Sequence, residues 1–484
     1  MLRFIVAILF PACLFLATGA AEPSKPNIVF ILADDMGYGD PHCFNADSKI
    51  PTPNIDRLAG EGMRFTDAHA PGAFCVPSRY GLLTGRYPFR NTGVRNPVKG
   101  AMIEAGRPTI ATVLRERGYI NGMIGKWHLG FDGGDRFDAN VPLRGGPIDH
   151  GFDTFFGQHA SLDIPPYFFI DQDRCVEALT ATTEANSSLD WSPVQGAFWR
   201  AGKIAPSYKH VEVLPTYTRK AVEYLETRGK QSGADSKPFF LYVAFTAPHT
   251  PWVPMEQFRG KSMGGLYGDF VMQVDDSVGQ VLAAIDHAGL AQNTLVIFSS
   301  DNGPVWYAED VAKFGHSAAG KWRGMKGDAW EGGHRMPFIA RWPGKVTPGS
   351  HCEQTISFTD MLATFAAVAG KPLVAAEGDD SYDLLPLLLG KRAEEVLREA
   401  TVMESSQGVL TIRQGDWKLI PHLGSGGFSK PATEKPKPGD PAGQLYNLSN
   451  DPSETKNLYA EQPQVVQRLA ALLEKYKRGP SVKR

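Results

Sequence analysis

Residues 27–35 read Asn27-Ile28-Val29-Phe30-Ile31-Leu32-Ala33-Asp34-Asp35, an unbroken apolar run that ends in two acids. β-Branched and aromatic residues without polar alternation predict a strand buried on both faces, the kind found in parallel sheets covered by helices. The pattern returns in two further places. Phe239-Phe-Leu-Tyr-Val-Ala-Phe245 leads to Pro248-His249-Thr250, and Thr294-Leu-Val-Ile-Phe298 leads to Asp301-Asn302-Gly303. In open α/β sheets, ligands bind where the carboxyl ends of strands meet their loops, so these runs point acids and a histidine at one sheet edge. Between them, Thr109–Arg117 and Phe270–Ala288 carry helical periodicity, the second with Val271, Val274, Val278, Leu282 and Ile285 on one stripe. Alternating strands and helices predict an α/β sandwich with a large, mostly parallel central sheet flanked by helices.

After Pro343-Gly344 the pattern changes. Val409–Arg413 and Trp417–Ile420, joined through Gln414-Gly415-Asp416, read as a β-hairpin within Gly408–Pro421. Gln464–Tyr476 reads as a final helix, and Gly424–Gly443, rich in Gly, Pro and Lys, as a loop or linker. The expected organisation is a leader at 1–21, a large catalytic domain at 22–345, and a C-terminal subdomain at 346–484. That subdomain would hold a short antiparallel sheet and a helix and complete the fold.

The leader reading rests on Arg3, the apolar run Phe4–Leu16 and the small residues Thr18-Gly19-Ala20, and it predicts a secreted, periplasmic or otherwise exported protein. The run is too short for a stable membrane span and contains Pro11. At 484 residues, with 42% hydrophobic and 21% charged residues, the chain is neither disordered nor a coiled coil. A net charge of -2 gives no field for holding nucleic acid or an anionic membrane, so any anion binding must be local. Cysteines stand at 13, 43, 75, 175 and 352, too few for a disulfide framework. At most one or two bridges could form after the leader is removed.

Asp34, Asp35, Asp301 and Asn302 are hard oxygen donors at the ends of two buried strands, and they suit Ca²⁺ or Mg²⁺ better than zinc. The plainer reading is that they open turns or cap helices. Cys75-Val76-Pro77-Ser78-Arg79 is followed by Tyr80-Gly81-Leu82-Leu83-Thr84-Gly85-Arg86. By composition alone Cys75 is a candidate low-pKa thiol beside an arginine, or an inert structural cysteine.

These segments together resemble the type I, formylglycine-dependent sulfatases, arylsulfatase-like members of the alkaline phosphatase superfamily. The resemblance runs from Lys25-Pro26-Asn27 to Leu445-Tyr446-Asn447-Leu448 and includes Gly37-Tyr38-Gly39-Asp40, Thr52–Leu58, Gly125-Lys126-Trp127-His128-Leu129-Gly130 and Gly327–Gly333. It implies an alkaline-phosphatase-like sandwich. It also implies one Ca²⁺ held by the residues matching Asp34, Asp35, Asp301 and Asn302, with the side chain at Cys75 completing the shell. Cys75 would be oxidised by a maturation enzyme to formylglycine (3-oxoalanine). Arg79, Lys126 and His128 match positions that orient or activate that group, His249 and Lys326 match contacts to sulfate, and Ser161 falls at a further substrate-binding position.

The implied function is an exported sulfatase that hydrolyses sulfate esters of carbohydrates or aryl alcohols and releases inorganic sulfate. A sulfate ester is a poor electrophile, so an anion must be generated beside it while cations hold its oxygens. One hydroxyl of hydrated formylglycine would attack sulfur, Asp301 taking its proton and His249 or Lys326 protonating the leaving alcohol. Loss of the second hydroxyl's proton to His128 would then expel sulfate. The alternatives are a phosphonate monoester or phosphodiester hydrolase on the same fold, and a non-catalytic sulfoglycan-binding protein. His316, His334 and Arg335 are weighed as cleft residues, and Trp252, Trp306, Trp322 and Trp330 as sugar-stacking platforms or core.

Overall fold

The computed structural model describes residues 25–95, 100–136, 138–188, 192, 194–231, 236–374, 377–391 and 395–479. The expected leader lies outside them. In chain order the first half contains β1 (Asn27–Asp34), α1 (Pro53–Glu61), β2 (Met63–His69), α2 (Cys75–Thr84), α3 (Ile110–Glu116), β3 (Ile120–Lys126) and β4 (Thr154–Gln158). Short strands β5 (Ile170–Asp171), β6 (Arg174–Cys175), β7 (Ala181–Thr183) and β8 (Gly202–Ile204) precede α4 (Val213–Lys230). Then come β9 (Phe239–Pro248), α5 (Gly265–His287), β10 (Thr294–Ser300), α6 (Ala308–Phe314), α7 (Glu331–His334) and β11 (Arg335–Arg341). The chain closes with β12 (Ser350–Cys352), β13 (Ile356–Ser357), α8 (Met361–Val368), α9 (Leu385–Leu388), β14 (Thr401–Glu404), β15 (Leu410–Gln414), β16 (Trp417–Ile420), β17 (Gln444–Asn447) and α10 (Pro463–Arg478).

The large sheet has eleven strands in the order β12-β2-β11-β10-β1-β9-β3-β4-β5-β6, with β13 also on β2. Its middle, β10-β1-β9-β3-β4, is parallel throughout. All three apolar runs are strands buried along their whole length, and they are immediate neighbours. Phe30 shows how one face is covered: its ring packs on its neighbour Tyr242 from β9 and on Phe365 from α8. The predicted helices are present as α3 and α5; Thr109 caps α3 by accepting from Thr112 N at 3.1 Å.

The small sheet, β14-β15-β16-β17, is antiparallel and contains the predicted hairpin, with Gln414 opposite Trp417. Helix α10 covers it, burying Leu469, Leu472, Leu473 and Tyr476 against Val402, Ile412, Leu419 and Leu445. Each buried leucine contributes about 1.5–3 kcal/mol relative to exposure.

The expected division at 345/346 does not coincide with the division between the sheets. Strands β12 and β13 pair with β2, and α8 packs in the core of the large sheet. Pro343-Gly344 only turns the chain at the end of β11, Gly344 taking φ +70°. The small sheet starts at Thr401. The 424–443 stretch is a loop that bonds to the large unit: Ser425 O accepts from Ala329 N at 2.7 Å, and Ser429 Oγ donates to Asp328 Oδ2 at 2.5 Å.

Candidate active site

Strand order builds the site. Asp34 ends β1, His249 follows β9, Lys126 ends β3 and Asp301 follows β10, so residues far apart in the chain leave four adjacent parallel strands at the same edge. Two of them meet directly: Lys126 Nζ donates to Asp34 Oδ2 at 2.5 Å, both side chains being fully buried.

Helix α2 delivers Cys75 at its first position and Arg79 one turn later, with every residue of the helix buried. Cys75 Sγ lies 3.4 Å from Asp34 Oδ1. Arg79 donates from Nε and Nη2 to Asp301 Oδ2 at 3.0 and 2.8 Å and from Nη1 to Lys126 O at 3.0 Å. One guanidinium therefore ties three segments together. Asp35 N donates to Asp301 Oδ1 at 3.2 Å, Asn302 Nδ2 donates to Asp35 Oδ1 at 2.6 Å, and Lys326 Nζ donates to Asp35 Oδ2 at 2.9 Å. His249 Nε2 stands 3.7 Å from Asp35 Oδ2, while its Nδ1 is bonded to Thr250 O at 2.6 Å. Ser161 is buried on the loop after β4; just before it, the carbonyls of Gln158, at the end of the strand, and of His159 accept from Trp127 N and His128 N.

Asp35 and His128 have φ of +66° and +57°, a region few non-glycine residues occupy. Such strain collects at functional sites, where surrounding contacts over-determine the backbone.

The electrostatics follow from burial and opposite charges. Burial alone would raise Asp34, but Lys126, then His249, Arg79 and Lys326, hold its carboxyl well below the usual range. Asp301 is pushed up to about 6 by burial and by Asp34. Burial, then Asp34, pushes the Cys75 thiol up, so the unmodified side chain is a neutral thiol and a poor nucleophile. Burial, with Lys126 and Arg79, holds His128 neutral, and its Nδ1 has no protein partner.

Ligand atoms of Asp34, Asp35, Cys75 and His249 lie within 4.8 Å of one another. Buried carboxylates that converge in this way, joined by Asn302 Oδ1, a buried oxygen without a protein donor, fit a hard dication such as Ca²⁺. A second group, His69, Glu331 and His334, is neutralised by protein instead. Lys418 Nζ and Arg335 Nε bond to Glu331 at 3.0 and 2.8 Å, and His69 Nε2 bonds to Asp67 at 2.7 Å.

Comparison with known proteins agrees with this geometry. The Sulfatase family model matches residues 26–371. The chain is a sulfatase. It belongs to that family, within the alkaline phosphatase superfamily, and is a sulfuric ester hydrolase. It is 36% identical to N-acetylgalactosamine-6-O-sulfatase of Bacteroides thetaiotaomicron, the match covering 94% of this chain and 93% of that protein. It is 35% identical to human arylsulfatase A, over 95% of this chain and 89% of the relative. A solved structure from a study of glycosaminoglycan metabolism by Bacteroides thetaiotaomicron superposes with a TM-score of 0.82 at 34% identity, covering 94% of this chain and all of that one.

Several residues weighed for this sulfatase's cleft lie elsewhere. His316 is buried and bonded through Nε2 to Asp40 Oδ1 at 2.8 Å. His334 and Arg335 are spent in the Glu331 network. Trp252, Trp306 and Trp330 are core; Trp322 is half-buried with Arg335 stacked on its ring at 3.8 Å. The four described cysteines are all free thiols. Sequence reasoning missed Asp163, beside His249, and Arg200, paired with Asp163; only the nearness of Asp163 to Ser161 hinted at them.

Proposed function

We propose that this sulfatase is an exported enzyme that releases inorganic sulfate from sulfated carbohydrates, through a formylglycine made from Cys75 and with one Ca²⁺ bound by Asp34, Asp35, Asp301 and Asn302. The observation that carries the reading is Cys75 on a fully buried helix, 3.4 Å from Asp34 and surrounded by acids paired with Arg79, Lys126 and Lys326. The relative named N-acetylgalactosamine-6-O-sulfatase makes a sulfated amino sugar the first substrate to test. Export is supported by the leader pattern in the sequence; among the described residues no helix is long and apolar enough to cross a membrane.

Bound Ca²⁺ and hydrated formylglycine would supply, respectively, positive charge beside the sulfate oxygens and an oxygen nucleophile with a second hydroxyl for release. The chain's own residues do the rest. Arg79 and Lys126 hold the acids that flank position 75. Lys326, its ammonium kept charged by Asp35 against the cost of burial, supplies a cation for the sulfate oxygens. Asp301, whose two oxygens accept from Asp35 N and from Arg79, is the carboxylate that would take the proton of the attacking hydroxyl. His249 donates Nδ1–H to Thr250 O, so Nε2 is the nitrogen left to face the site and, when it carries the ring's second proton, the one that would give it to the departing alcohol. His128, held neutral by burial, has Nδ1 open to accept a proton.

The test compares sulfate release from nitrophenyl sulfate and N-acetylgalactosamine 6-sulfate with cleavage of a nitrophenyl phosphodiester. Formylglycine at residue 75 is confirmed by mass spectrometry of its peptide. A large preference for the phosphodiester would overturn the reading in favour of a phosphodiesterase or phosphonate hydrolase on the same fold. Release of no sulfate by converted, calcium-loaded protein would leave only a sulfoglycan-binding role.

A further inference from the structure

Beyond His249 the wall of the site holds a polar pair that the chemistry above leaves unused. Asp163 is only 6% exposed, on the loop that also carries Ser161. One side of its carboxylate is gripped: Arg200 Nη1 donates to Oδ2 and, at 3.1 Å, to the Asp163 carbonyl, which also accepts from Arg200 N at 3.3 Å. The other oxygen, Oδ1, is buried with no donor from the protein and lies 3.9 Å from His249 Nδ1. That imidazole nitrogen is already bonded to Thr250 O, so it does not serve Asp163.

The neighbourhood is rich in acceptors. The segment carrying Gln195 lies against the His249 loop, since Thr250 Oγ1 and Trp252 N both donate to Gly196 O at 3.1 and 2.7 Å. Gln195 Oε1 and Ser161 Oγ are likewise buried without a protein partner. Arg200 supplies the complementary donors: its side chain is 51% exposed, so the guanidinium runs from the buried carboxylate out to solvent. A buried carboxylate oxygen without a donor carries an unmet desolvation cost, and a ligand hydroxyl removes that penalty on binding.

We infer that Asp163 and Arg200 form a subsite for the sugar ring that bears the sulfate. Asp163 Oδ1 accepts from a ring hydroxyl, and the Arg200 guanidinium donates to an adjacent hydroxyl or amide oxygen. The inference rests on the sulfatase reading above and deepens it, because it makes the enzyme selective for hydroxylated rings over aryl sulfates. A site built to bond a substrate hydroxyl discriminates against a ring that lacks it, since its own polar groups are then left unpaired.

The experiment uses full-length, formylglycine-converted, calcium-loaded protein. Its kcat/KM is measured on nitrophenyl sulfate and on whichever of the sulfated galactose, N-acetylgalactosamine, N-acetylglucosamine and fucose monosaccharides it cleaves fastest. Asp163→Ala and Arg200→Ala are compared with the parent; the second alters a half-exposed residue and so keeps the test independent of folding. The expected result is a fall of about 10-fold or more in the sugar-to-aryl ratio for both variants. Equal losses on both substrates would mean that Asp163 acts only by positioning His249, and would overturn the subsite. An unchanged ratio, or a parent enzyme that cleaves the aryl ester and none of the sugars, would overturn it while leaving the sulfatase reading intact. Release of sulfate from neither substrate class would remove both.

Discussion

The Lys326 ammonium lies 2.7 and 2.9 Å from the two carboxylate oxygens of Asp35, with both side chains buried. A buried pair of this kind is weak evidence for net stability, yet removing one partner leaves a charge uncompensated and costs about 3–5 kcal/mol. At this sheet edge a bound dication can replace the lost ammonium.

Lys326→Ala is therefore expected to lower the melting temperature of calcium-free protein, and calcium is expected to stabilise the variant more than it stabilises the parent. Activity of the loaded variant should fall by about 10²–10³-fold through loss of a cation from the sulfate pocket. Thermal melts in chelator and in calcium, beside sulfate-release rates, check both parts. A smaller calcium shift in the variant than in the parent would contradict the assignment of Asp35 as a ligand.

Cys75→Ser keeps a hydroxyl in place of the thiol but has no second hydroxyl for releasing sulfate. At most one equivalent of sulfate ester should be turned over, leaving a sulfated serine that intact-protein mass spectrometry detects. Steady multiple turnover by this variant would sink the proposed nucleophile.

Gly125 precedes Lys126 with φ +113°, and a Cβ there would lie 1.9 Å from Ala244 O on the neighbouring strand. Neither the dihedral nor the backbone contact can relax cheaply. Gly125→Ala should destabilise the protein by about 1–3 kcal/mol, the range of core overpacking, and pull Lys126 away from Asp34. Chemical denaturation and the rate of sulfate release measure the two effects; native values for both would refute the claim that this glycine sets the lysine.

Glu454 shares Lys418 with Glu331, and burial, together with the Glu331 charge, pushes its carboxyl up to about 7 from an ordinary value of 4.5. A carboxyl raised on folding binds its proton more tightly in the native state. Its contribution to stability is thus fully present below pH 4.5 and is lost as pH rises through about 7. Glu454→Gln should flatten this part of the stability profile, which denaturant titrations across that range will show. An unaltered slope would rule out Glu454 as the titrating group.

How legible each feature was depends on the range of the forces behind it. The strands ending at Asp34, Pro248 and Ser300 were readable because a chain buried on both faces must be apolar throughout, and its polar residues can begin only where the sheet ends. His316 and Trp306 were not readable. Their residue types suit a cleft as well as a core, and their burial is set by partners such as Asp40 for His316. Arg335 faces Asp67 from a neighbouring strand, a contact no local pattern announces. Asp163 and Arg200 escaped for the same reason: a surface arginine and a loop aspartate carry no periodicity.

Local order along the chain was enough to establish the buried strands, the acids that follow them, the Cys75–Arg79 motif as a sequence pattern and the hairpin of the small sheet, because each depends on neighbours within a few residues. Tertiary structure decided that β10, β1, β9 and β3 lie side by side, which brings Asp301, Asp34, His249 and Lys126 to one edge. It also decided that the large sheet extends through β12 and β13, and that the Asp163 carboxylate has one oxygen held by Arg200 and the other without a donor. These outcomes are fixed by strand pairing and burial between residues distant in sequence, where the free energy of a polar group depends on which partners the fold delivers.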